Sequence, residues 1–240
     1  MKIISTIKPG RPFRLNPRRL LYLSIILLAA CLAYVMFNSS STSAADYNKL
    51  LEDALNRTFS AESYSFYSKS TLRVDQENRT FSLLEGEKGG PQNRHVKGNM
   101  LGTPVDIYAL GQAVYRQDPV SGAWKTLSPA EIPDALALMD EMSPAVNFKF
   151  SETGDVKFLG KEKLEGKTCL KLQFRPVMED KWLDRYFQDI TYTVWLSGKK
   201  PNIVKTVITG QSKESASVSL TIEIQLTDFG KEIRITPPVV

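Results

Sequence analysis

Of 240 residues, one is a histidine and two are cysteines, and that scarcity limits the chemistry open to the chain. His95 stands in Arg94-His95-Val96-Lys97. On a strand with Val96 inward it points to solvent, as a surface residue rather than a general base. No Gly-x-Ser-x-Gly elbow is present to hold a serine nucleophile. Gly86-Glu87-Lys88-Gly89-Gly90 lacks the spacing of a phosphate loop and reads as a hairpin turn. Glu179, Asp180 and Asp184 lie near one another, but as the polar face of a short helix. The carboxylate pair of a glycosidase, set at strand ends among aromatics, cannot be picked out. Metal sites built on His and Cys lack ligands. The residues therefore point to a protein that is not an enzyme and needs no cofactor or metal.

Charge narrows the partners. The chain carries a net +5, yet residues 1–45 hold six basic residues (Lys2, Lys8, Arg11, Arg14, Arg18, Arg19) and no acid. Residues 46–240 hold 25 basic against 26 acidic residues. A near-neutral body offers no footprint for a phosphate backbone, so nucleic acid is not expected as a partner.

The basic segment is an address. Residues 1–19 form a basic tail expected in the cytoplasm, and residues 20–37 (LLYLSIILLAACLAYVMF) run without a charge or a proline. At ~1.5 Å per residue this run covers roughly 27 Å, close to a bilayer's hydrocarbon thickness. Arg18 and Arg19 keep their side cytoplasmic, so residues 38–240 are expected outside the cytoplasm. Three readings stay open. A retained single-pass anchor fits the full length. Leu28-Ala29-Ala30-Cys31 matches a bacterial lipobox, which would lipidate Cys31, although Leu32–Phe37 stay apolar after it. Signal cleavage fits Ser43-Ala44-Ala45. In each case residues 38–45 are a linker and 46–240 an exported body. Cys169 is then alone and reads as a buried, inert strand residue.

The exported body begins with a helix. Tyr47, Leu50, Leu51, Ala54 and Leu55 share one face of Asp46–Thr58. The period then changes to two. Tyr64, Phe66, Leu72 and Val74 alternate with polar positions, and Ser68 and Ser70 interrupt the apolar face. Further strands carry Phe81 and Leu83, Val96 and Met100, Val105 and Ile107, and Ala113 and Tyr115. Ser128-Pro129 starts a helical insertion with Ile132, Ala135, Leu136 and Met139 on one face, ending near Ser143-Pro144. Strands resume at 155–163 and 167–175, followed by a short helix at 179–187. Three long strands close the chain, the last alternating Val218, Leu220, Ile222, Ile224 and Leu226 with polar residues. About ten or eleven strands with short turns predict antiparallel pairing. One apolar face per strand predicts a sheet solvated on one side. The fold class is mainly β (α+β): a curled antiparallel half-barrel with covering helices.

A curled one-sided sheet must cover its hollow side, and incomplete cover leaves an apolar cavity. An acyl chain in such a cavity gains roughly 0.8 kcal/mol per buried methylene. The candidate lining is Phe66, Leu72, Phe81, Val96, Met100, Ile107 and Tyr115 from the front strands. The back strands add Leu172, Phe174, Tyr192, Val194, Leu220 and Ile222, and the cover adds Leu136, Met139 and Met142.

Over 46–240 the order of these features resembles the LolA/LprG-type lipoprotein-carrier superfamily, which includes LppX- and RseB-like envelope proteins. The resemblance rests on Tyr64-Ser65-Phe66-Tyr67, Val114-Tyr115 leading to Gly122-Ala123-Trp124-Lys125, and Gly166-Lys167-Thr168-Cys169-Leu170-Lys171-Leu172. It continues in Thr191-Tyr192-Thr193-Val194-Trp195-Leu196 and the closing Phe229-Gly230. It implies a half-open barrel closed by helices over a hydrophobic cavity that binds a lipid or a lipoprotein acyl chain. Soluble shuttles of the family are freed by signal cleavage, whereas this chain looks tethered. The expectation is thus a membrane-tethered lipid binder, or alternatively an envelope sensor or interaction domain with a protein partner and no cargo.

Overall fold

The computed structural model describes residues 44–179 and 181–239. The segment 20–37 and Cys31 lie outside them, as do the readings that rest on those residues. Among the described residues no helix is long and apolar enough to cross a membrane.

Helix α1 (Ala44–Ser60) buries Leu51, Ala54 and Thr58 completely, the positions that helical spacing aligns on one face. Its two ends are stitched to different parts of the chain, the loop before the strand Lys157–Leu164 and the start of the strand Asn202–Ser212. Asn48 Nδ2 donates to the Gly154 carbonyl (2.9 Å) and its Oδ1 accepts from Val156 N (3.2 Å). At the other end Arg57 donates to the Pro201 carbonyl (2.6 Å), and Thr58 Oγ1 accepts from Ile203 N (2.9 Å).

Thirteen strands follow: β1 (Ser63–Val74), β2 (Glu77–Gly89), β3 (Asn93–Met100), β4 (Thr103–Leu110), β5 (Ala113–Gln117), β6 (Trp124–Thr126), β7 (Phe150–Glu152), β8 (Lys157–Leu164), β9 (Lys167–Phe174), β10 (Val177–Met178), β11 (Phe187–Ser197), β12 (Asn202–Ser212) and β13 (Val218–Thr227). Eleven form one sheet in the order β6-β5-β4-β3-β2-β1-β13-β12-β11-β9-β8, and β7 pairs with β10. Every pairing is antiparallel. The sheet is open, with β6 and β8 as its edges, so the expected strand count and pairing hold and no barrel closes. Tight turns do the linking: Glu165 (φ 49°) and Gly166 (φ 78°) both take the left-handed conformation that a two-residue hairpin requires.

Register assembles one apolar face. Val96, Gly86, Phe66 and Leu226 lie side by side across β3, β2, β1 and β13. Gly86 is needed there, because a Cβ would run into the Phe66 ring and come within 2.7 Å of the His95 carbonyl oxygen. The next rows contain hydroxyls: Ser70 opposite Ser82, Ser68 opposite Ile224, and Ile224 opposite Thr206. Thr206 is fully buried and its Oγ1 has no hydrogen-bond partner. A buried unpaired hydroxyl costs about 1–3 kcal/mol. Thr206→Val removes it at constant shape, so chemical denaturation should show a gain of about 1 kcal/mol. An unchanged or lower midpoint would show that the hydroxyl is solvated by a bound water.

The segment 127–154 crosses the apolar face as a strap. Leu127 N bonds the Val114 carbonyl on β5 (2.8 Å). Helix α2 spans Ile132–Met142 and is followed by a 3-10 turn, Pro144–Phe148. The helix begins three residues later than Ser128-Pro129 suggests. Those residues instead form a turn in which Glu131 Oε2 accepts from Ser128 N (3.0 Å) and Ser128 Oγ (2.8 Å). These bonds, with Lys125 Nζ at 3.1 Å, hold the Glu131 carboxyl down to about 2. Because the folded value is depressed, the turn gains its stabilisation above the ordinary glutamate value and loses it as pH falls towards 2. A carboxyl NMR titration of Glu131 should therefore have its midpoint near pH 2; a midpoint at the ordinary glutamate value rules out the capped turn.

Three further contacts pin the strap to the sheet. Asp140 meets Arg94 of β3 at 2.5 Å. Ser143 hydrogen-bonds the Tyr64 phenol, whose pKa burial pushes up. Tyr192 Oη of β11 donates to the Asn147 carbonyl at 2.6 Å. A last short helix, α3 (Lys181–Tyr186), leads into β11.

Candidate functional site

The expected lining residues fall into three groups. Phe66, Val96, Ile107, Met139, Met142, Leu172, Phe174, Tyr192, Val194, Leu220 and Ile222 are all buried in one shared cluster. Leu72, Phe81, Met100 and Leu136 are half-buried and packed against that cluster. Tyr115 is different. Val114 pairs with the buried Ala109, so Val114 takes the inward position and Tyr115 pairs with Tyr108 on the opposite face. The assignment of Tyr115 to the hollow side is corrected by this register: its alternation had been counted one residue out of phase. Leu83, expected to share a face with Phe81, is exposed. The register shift between Ser70 and Thr71 leaves Phe81 without a partner on β1, and an extra residue of that kind breaks alternation.

The centre of the apolar face is closed by the protein's own side chains. Leu172, Tyr192 and Val194 have no solvent-accessible surface and Met139 has 1%. Open space lies instead between α1 and residues 148–154. A groove of about 860 Å³ there is lined by Leu55, Phe59, Phe148 and Phe150, with Asn48 and Glu52 among its polar residues. Its volume is within the range of small-molecule sites. Phe148 and Phe150 separate it from the buried cluster. The Phe148 ring lies 4.9 Å from that of Phe59 and 5.9 Å from that of Tyr192. The Phe150 ring meets those of Phe174 (5.7 Å) and Tyr192 (5.9 Å) edge-on. Leu55 belongs to the apolar face of α1 read from spacing. Phe59, Phe148 and Phe150 are not among the residues expected from the sequence, and the Phe148-Lys149-Phe150 alternation is the one signal available there.

Residues with reactive side chains are placed elsewhere. His95 occupies the expected outer face but is largely covered there, with Nε2 2.7 Å from Asp106 Oδ1 and its ring stacked 3.8 Å from that of Tyr108. Cys169 is buried with a free thiol, as expected. Among the described residues no group of three or more His, Cys, Asp or Glu is arranged to hold a metal.

An open antiparallel sheet with a strap and helices over one apolar face is a known architecture. LprF from Mycobacterium bovis matches 80% of this chain and 97% of its own, at 16% identity and a TM-score of 0.52. The lipoprotein LppX from Mycobacterium tuberculosis matches 81% of this chain and 100% of its own, at 13% identity and a TM-score of 0.54. The chain therefore shares the fold of LprF and LppX. No family model matches the sequence, and no curated protein matches it.

Proposed function

We propose that residues 44–240 act as a membrane-tethered, extracytoplasmic domain that accepts a lipid or a lipoprotein acyl chain. The observation that carries this reading is the groove between α1 and the strap, divided from a continuous apolar face by the two side chains of Phe148 and Phe150. The likeness of fold to LprF and to the lipoprotein LppX supports it. The acyl chain enters at the groove, and the strap, held by a few polar contacts, yields to let methylenes replace Phe148 and Phe150 against Tyr192 and Phe174. Each buried methylene contributes about 0.8 kcal/mol, so the site needs no specific polar contact. Native mass spectrometry of the purified domain, before and after incubation with diacyl lipid, tests this: an adduct of lipid mass is expected, and a domain that never carries or accepts lipid refutes it.

The tightly filled centre favours a second reading, an envelope interaction domain with a protein partner and no cargo. Leu136→Trp separates the two, since Leu136 is half-buried on the covering helix. Lost uptake with stability kept supports cargo binding; lost stability supports a packed core.

A further inference from the structure

The lysines of the body are unevenly placed. Segments 157–171 and 199–205 together hold eight lysines and two carboxylates, Glu162 and Glu165, although residues 46–240 as a whole are slightly acidic. Lys171 and Glu162 are paired at 3.0 Å. Lys157, Lys161, Lys163, Lys167, Lys199 and Lys200 are exposed, and among the described residues none of these six makes an ion pair.

Pairing gathers most of them at one edge. Lys163 lies opposite Thr168 at the end of the β8–β9 hairpin. Cys169 pairs with Ser197, which brings the turn carrying Lys199 and Lys200 beside that hairpin. Lysines on an unpaired edge strand also block strand addition. That role does not account for Lys199 and Lys200, which lie on a turn. Nor does it account for Phe158 and Leu159, which stand 40% and 47% exposed on the same edge. Cationic side chains beside exposed apolar ones suit a surface with a charged layer over a hydrocarbon layer.

The start of α1 lies at this edge. Tyr47 stacks on Phe158 with ring centroids 5.2 Å apart. In the sequence, only residues 38–43 separate the apolar run ending at Phe37 from α1, a stretch that spans at most about 20 Å. If residues 20–37 are anchored as proposed above, β8 is held within reach of the bilayer.

We propose that the β8 edge, through Lys161, Lys163 and Lys167 with Phe158 and Leu159, docks on a bilayer of anionic phospholipid. The orientation argument rests on the tethered reading; the docking itself does not, and it is separate from cargo uptake. Residues 43–240 form one compact unit with its own core, so the test uses this segment without the anchor. Sedimentation is measured with phosphatidylcholine vesicles with and without about 30% phosphatidylglycerol, in about 0.1 M salt. Binding to the anionic vesicles alone is expected. A juxtamembrane lysine contributes about fivefold in affinity, so K161Q/K163Q/K167Q should weaken binding about a hundredfold, and Lys97→Gln on the outer face should leave it unchanged. Raising the salt to about 0.5 M should release the wild type. Should the triple variant not fold, K199Q/K200Q and the salt titration give the same reading. Equal binding to both vesicles, no binding at low salt, full binding by the triple variant, or capture of soluble polyphosphate but not vesicles would each overturn the proposal. Lipid adducts in the absence of vesicle docking would leave cargo binding standing and remove this surface alone.

Discussion

Tyr192→Ala should lower the stability of the domain by about 3–5 kcal/mol, the cost typical of a deleted buried aromatic ring. Tyr192 has no solvent-accessible surface. Its ring stacks on Phe174 at 5.2 Å and touches Phe148 and Phe150. Its hydroxyl bonds the Asn147 carbonyl. One side chain thus joins β11, β9 and the strap, and truncation loses both the packing and a hydrogen bond. Since domains are stable by only about 5–15 kcal/mol, the variant should melt about 10 °C lower or more. Tyr192→Phe keeps the ring and loses the hydroxyl's bond to Asn147 and its contact with Met178 Sδ, so it should cost about 1 kcal/mol. It should also raise amide exchange in 144–150 more than elsewhere. A loss below about 1 kcal/mol for the alanine variant would mean that the ring is not the joint between strap and sheet.

Leu55→Trp should weaken lipid uptake about tenfold to a hundredfold while leaving the fold nearly intact. Leu55 is half-buried on α1 and faces the groove, so a larger ring fills open space instead of displacing packed neighbours. Denying two to four methylenes their site removes about 2–3 kcal/mol, or on the order of tenfold to a hundredfold in affinity. Phe148→Ala is the counterpart. It removes part of the partition between groove and core, and should raise uptake while lowering stability. Lipid titration followed by native mass spectrometry, alongside thermal melting, reads both. Unchanged uptake by Leu55→Trp would place the cargo elsewhere.

Much of this protein was legible without coordinates because the signals are local. Alternation is a property of single strands, so Leu220, Ile222, Ile224 and Leu226 announce one buried face whatever they pair with. The 3.6-residue spacing of Leu50, Leu51, Ala54 and Leu55 does the same for α1. Turn chemistry at Glu165-Gly166 set the hairpin, and the shortage of His and Cys set aside metal and triad chemistry. These features together led to a curled antiparallel half-barrel of about ten or eleven strands, where the structure has an open sheet of eleven.

What failed was non-local. Leu83 turns outward, away from the face of Phe81, because a bulge shifts register there, and a bulge is decided by what the neighbouring strand needs. Tyr115 faced the wrong way because β5 takes its phase from Ala109 across the sheet, not from its own residues. The hollow was read as room for cargo from an inventory of apolar side chains. Whether room remains depends on volumes summed over the sheet, the helices and the strap, and in the structure Met139, Leu172, Tyr192 and Val194 are left with almost no accessible surface. The groove exists because α1 lies beside residues 148–154, and the lysine edge, formed where two distant turns lie side by side, exists because β9 pairs with β11. The sequence by itself settled the run of strands behind a starting helix and the buried face. Tertiary structure alone decided where space was left and which charges became neighbours, because both depend on residues far apart in the chain.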